Sequence, residues 1–95
     1  MRNYEVMYIV KPDLEEEKYT AIMEKFNAII QNNGGEVLKV EPWGKRRLAY
    51  EIEKLHDGYY VLVNFRSEAA VPAELERNFR ISDEVIRYLI VKKED

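Results

Sequence analysis

The sequence predicts an α+β domain: one four-stranded antiparallel sheet with two helices on one face, in the chain order βαββαβ. Three observations predict it. Two stretches place apolar residues at helical spacing, one running through DLEEEKYTAIMEKFNAIIQNNGG and one marked by Val71, Leu75 and Phe79. Four others are rich in β-branched and aromatic residues at strand length. No linker or low-complexity segment interrupts the 95 residues, so residues 1–95 form a single domain.

YEVMYIV, residues 4–10, reads as a strand apolar on both faces that stops at Lys11-Pro12. In the first helix, Tyr19, Ile22, Met23, Phe26, Ile29 and Ile30 make one apolar face. Asp13 and Glu16 stand at capping-box spacing, the acidic first turn suits the helix dipole, and Asn32-Asn33-Gly34-Gly35 ends the helix. Residues 36–53 alternate as a long strand interrupted at Pro42-Trp43-Gly44. Proline donates no ladder hydrogen bond, so this strand belongs at a sheet edge, with a bend there. Asp57-Gly58 is a turn signal, with His56 beside it. Residues 59–65 form a strand apolar enough to be central. The second helix has Pro72 in its first turn, residues 85–91 make the last strand, and KKED follows.

Right-handed crossovers turn this order into the ferredoxin-like split βαβ sandwich, with the first and third strands central and the second and fourth at the edges. Two spatial expectations follow. The first and last strands lie side by side and antiparallel, which brings Arg2 and Tyr4 next to Lys92 and Lys93. With Val6, Tyr8, Val61, Val63, Phe65, Tyr88 and Ile90 toward the helices, Met7, Ile9, Tyr60, Leu62, Leu89 and Val91 face away. The opposite parity is open as well, and either one leaves an apolar sheet face that suits a partner.

Composition narrows the chemistry. At 46% hydrophobic and 35% charged residues, the chain is globular and not disordered. Without cysteine it has no disulfide, thiolate zinc site or cysteine nucleophile. No signal peptide and no 18-residue apolar run is visible, so no membrane partner is expected. His56 reads as a solvated turn residue. Glu15, Glu16 and Glu17 diverge by about 100° each on a helix and cannot converge on a metal. Gly34-Gly35 follows a helix instead of opening one, so it is no phosphate loop. No catalytic residue, cofactor, metal or small-molecule substrate is expected.

A net charge of −3 argues against a free-standing tight nucleic-acid binder but leaves room for a local basic patch. DGYYVLVNF departs from the third-strand signature of single-domain RNA recognition modules: Asp57 leads it, Tyr60 replaces the small residue and Val61 the second aromatic. Lys45-Arg46-Arg47 has two readings, protection of a sheet edge or contact with phosphates, and so do the cations at the two chain ends. A dimeric small-molecule-binding regulatory module of the same fold is the alternative, although a charged edge opposes self-pairing.

Four stretches carry a resemblance: MRNYEVMYIVKPD, WGKRRLAYEI, DGYYVLVN and IRYLIVKKED. Through them the chain resembles the bacterial small-subunit ribosomal protein six family over nearly its whole length. Many relatives carry a longer, often acidic C-terminal tail, and nothing that depends on such a tail is expected of this chain. The resemblance implies the ferredoxin-like fold, no enzymatic activity, and a cytoplasmic, ribosome-associated role. It implies binding to the central domain of small-subunit ribosomal RNA together with small-subunit ribosomal protein eighteen. RNA contact is then expected near Arg2, Tyr4, Arg87, Lys92 and Lys93. Trp43, Lys45, Arg46, Arg47, Tyr60 and Leu62 are expected toward the protein partner or nearby RNA.

Overall fold

The computed structural model describes residues 1–52 and 54–93. Its elements run β1 (Arg2–Val10), α1 (Glu16–Asn32), β2 (Glu36–Ile52), β3 (Leu55–Ser67), α2 (Ala70–Ile81) and β4 (Val85–Lys92). The sheet order is β2-β3-β1-β4 and every neighbouring pair is antiparallel. The architecture is thus the ferredoxin-like one, with β1 and β3 central and β2 and β4 at the edges. Residue 53, expected to end the second strand, and the last two residues of IRYLIVKKED lie outside the described residues.

The core follows from strand parity. Val6 faces Val63 and Tyr8 faces Val61 across β1 and β3, and all four are buried beneath the helices. From α1 come Tyr19, Ile22, Phe26 and Ile30; from α2 come Val71, Leu75 and Phe79. The rings of Tyr8, Phe26 and Phe79 meet at its centre, with centroids 4.5 to 5.2 Å apart. Each such side chain contributes about 1.5–3 kcal/mol by leaving water, so this cluster supplies much of the drive to fold. Tyr88 and Ile90 pack against it from β4, as the alternation requires.

The ends of α1 differ from each other. At its C-terminus Gly34 (φ 85) donates to the Gln31 carbonyl at 3.1 Å and Gly35 to the Ile30 carbonyl at 2.8 Å, a Schellman closure. Its N-terminus corrects the expected capping box. The helix starts at Glu16, and Glu15 at the cap position makes no side-chain capping bond. Asp13 sits in the left-handed region (φ 65) and its carboxylate takes a 2.9 Å hydrogen bond from Lys45 Nζ. A cation from β2 has recruited the carboxylate that local spacing assigned to the helix.

The hairpin between β2 and β3 brings a second correction. Asp57-Gly58 is not the turn: both residues lie within β3, opposite Arg47 and Arg46. The chain reverses farther out, beside Lys54, whose φ is 68. His56 is therefore an exposed strand residue. Gly58 is needed for a close approach, since a Cβ there would lie 2.3 Å from Ile9 Cγ2. The long hairpin thus projects past the ends of β1 and β4 as an arm. The bend expected at Pro42-Trp43-Gly44 is present as a register shift between Pro42 and Gly44, with Gly44 at φ 81.

Candidate nucleic-acid and partner interface

Antiparallel pairing of β1 with β4 brings the two chain ends together. Tyr4 lies opposite Lys92, and the Lys93 backbone N–H donates to the Asn3 carbonyl at 2.8 Å. Arg2, Lys92 and Lys93 are exposed around this corner. Lys93 reaches the outer sheet face, where its ammonium lies 3.6 Å from Glu5 and 3.5 Å from Asn64 Oδ1. Tyr4 is a core residue, 7% exposed and stacked on Phe65 at 5.4 Å. Its part at this corner is to seat β1 beneath the cations. Arg87 is not at this corner. It pairs with Ile9, six residues before Lys93, which at the rise of a strand is about 20 Å away.

The three consecutive cations do not form one patch. Strand alternation sends Lys45 and Arg47 to the helix side, with Tyr59 and Asp57, and Arg46 to the outer face opposite Gly58. Lys45 is already engaged by Asp13, whose hydrogen bond holds the ammonium above its usual pKa. Among the described residues Arg46 donates to the Lys45 carbonyl at 3.3 Å.

The outer face of the sheet is the open one. Met7 stands between Leu62 and Leu89, with Val91 beyond. Leu89 is 64% exposed and Val91 41%. Toward β2, Trp43 lies nearly parallel to Tyr60, 6.5 Å between centroids. Its indole Nε1 donates to Glu41 at 3.3 Å. Lys39 also pairs with Glu41 at 2.8 Å, and these two bonds, the lysine's first, pull the Glu41 carboxyl below its usual pKa. Ile9 departs from expectation: it is on this face but buried, because Leu48 on the hairpin packs over it and Gly58.

Tyr50 is the residue that sequence reasoning missed. It is exposed, its ring lies 5.3 Å from the Arg87 guanidinium, and its hydroxyl accepts a hydrogen bond from that group. Together Ile9, Leu48, Tyr50, Ile52, Tyr60 and Arg87 line a pocket of about 180 Å³. The available signal was the period-two stripe Leu48, Tyr50, Ile52, which continues past the length of the neighbouring strands.

Among the described residues the outer face carries Lys39, Arg46, Arg66, Arg87 and Lys93 against Glu5, Glu36 and Glu41, so their balance there is positive in a chain of net −3. Among the described residues no three His, Asp or Glu come together to hold a metal, and no helix is long and apolar enough to cross a membrane. The arrangement suits adhesion to an anionic partner beside an apolar one.

Comparison with known proteins agrees with the fold. The family model described as Ribosomal protein S6 matches residues 3–92. Small ribosomal subunit protein bS6 of Desulforamulus reducens is 55% identical over 98% of this chain and 98% of its own. That of Moorella thermoacetica is 55% identical over 100% of this chain and 97% of its own. A crystal structure of 30S ribosomal protein S6 from Thermotoga maritima superposes with a TM-score of 0.91 at 35% identity, covering 97% of this chain and 87% of that one.

Proposed function

The chain belongs to the ribosomal protein S6 family, whose relatives are proteins of the small ribosomal subunit, and we propose that it acts there, in the cytoplasm, as a structural, non-catalytic component. In this reading it binds the central domain of the small-subunit ribosomal RNA together with small-subunit ribosomal protein eighteen. The observation that supports it best is the meeting of chain start and chain end: Arg2, Lys92 and Lys93 are exposed at one corner of the sheet, with Lys93 on the apolar face that the helices leave uncovered. Cations of that kind neutralise phosphates and position a protein on RNA without reading sequence. Leu62, Met7, Leu89 and Val91 offer a basic protein partner apolar area to bury, with Trp43 and Tyr60 at the border. A chain of net −3 needs such a partner to hold RNA.

The test is a mobility-shift titration of central-domain RNA with this chain, with protein eighteen, and with both. Only the mixture should shift the RNA at micromolar concentration. Lys92→Glu/Lys93→Glu should weaken that shift at least tenfold, and Leu89→Lys should abolish the heterodimer in sedimentation. Full assembly by both variants would refute the assignment.

A further inference from the structure

We propose that the pocket between the hairpin arm and β4 seats one unstacked nucleobase of RNA, with the Tyr50 ring as its stacking plane and Arg87 on the adjoining phosphate. The proposal rests on the ribonucleoprotein reading above and adds a site to it.

Three observations favour a nucleotide. The floor, made by Ile9, Leu48 and Ile52, is apolar, and the rim is aromatic and cationic. One Tyr50 face already holds a flat guanidinium 5.3 Å away, so a planar group fits there without rebuilding the pocket. Arg87 donates to the Tyr50 hydroxyl and Arg46 to a backbone carbonyl; among the described residues neither is paired with a carboxylate. An incoming phosphate supplies the missing counter-charge. Binding is an exchange: the base takes the tyrosine face, and the released guanidinium turns to the phosphate. Both contacts tolerate any base, because every base has a π face.

Trp43 is the only tryptophan and lies against Tyr60, a wall of the pocket, so its emission reports occupancy. The full chain is titrated with hexauridylate and hexaadenylate at about 50 mM salt, where phosphate contacts are strong. Saturable change in emission is expected with both. Tyr50→Ala should weaken binding about tenfold, as loss of one stacked base does. Tyr50→Phe should stay within about twofold, since the ring plane is kept. Arg87→Gln should weaken binding and flatten the salt dependence by about 0.7 in the log–log slope for single strands. Far-UV circular dichroism should be unchanged, because both side chains are exposed. Equal binding by Tyr50→Ala and the parent overturns the site, as does emission that answers only to an acidic peptide. Assembly on folded RNA is followed in parallel. An assembling parent that ignores the hexamers defeats the pocket alone. Hexamer binding through Tyr50 without assembly upholds the pocket and defeats the ribosomal reading.

Discussion

Tyr8 shows how much one atom matters. Its ring fills the centre of the core between Phe26 and Phe79, yet its hydroxyl has no hydrogen-bond partner among the described residues. A buried, unpaired hydroxyl costs about 1–3 kcal/mol, so Tyr8→Phe should raise stability by about 1 kcal/mol in urea unfolding. The same burial, aided by the charge of Tyr59, pushes the Tyr8 hydroxyl far above its ordinary pKa of 10.0. The folded chain therefore keeps this proton when the unfolded chain gives it up. That contribution to stability is whole below pH 10 and lost as pH rises through the folded-state value. The advantage of Tyr8→Phe should consequently widen above pH 10 by about 1.4 kcal/mol per pH unit. A constant difference from pH 8 to pH 11 would mean that the hydroxyl is solvated. Gly58 is the opposite case, a missing atom. Its Cβ would overlap Ile9 Cγ2 at 2.3 Å and meet Leu48 Cδ2 at 3.4 Å, so Gly58→Ala should cost about 1–3 kcal/mol. A neutral substitution would show that the hairpin does not press on β1.

At the scale of elements, what could be read from sequence was whatever local period and tertiary burial agreed on. Tyr19, Ile22, Phe26 and Ile30 of α1 and Val71, Leu75 and Phe79 of α2 are where periodicity put them, while β1, β3 and β4, apolar on both sides, left two parities open between which helix packing decided. The failures are places where a distant residue overruled a local signal. Asp13 left its capping role for Lys45, 32 residues away, and Asp57-Gly58 looked like a turn although its glycine answers to Ile9. For the site, adjacency misled: Lys45, Arg46 and Arg47 are neighbours in sequence but stand on two faces of β2. Their joint replacement by alanine should leave the fold intact, because the Lys45–Asp13 pair is exposed and screened by water. Assembly with partner and RNA should fall, and Arg46→Ala alone should account for most of the fall. If Arg47→Ala matters as much, both faces of the edge strand are in use. Undiminished assembly of the triple variant would leave these cations only the task of blunting the edge, alongside Pro42 and the bulge.

The molecule as a whole is electrically lopsided. Glu15 at the cap of α1 and Glu16, Glu17 and Glu24 on it lie exposed, across the sheet from the outer-face cations, so a net acidic chain still turns one positive side to an anion. Orientation of this kind steers encounter and sets register, while the apolar strip between the cations decides whether the complex lasts. It also makes a quantitative demand. If Arg2, Arg87, Lys92 and Lys93 all neutralise phosphates in the assembled complex, the logarithm of affinity should fall with the logarithm of salt at a slope of about −3 to −4. Lys92→Gln should bring that slope about 0.9 closer to zero. Lys25→Gln, on α1 over the Phe26 ring, removes the same charge from the opposite layer and should leave the slope where it was. Equal effects of the two substitutions would mean that net charge governs binding. A change confined to Lys92 would tie it to the corner where the chain begins and ends, and to the pairing of β1 with β4 that builds that corner.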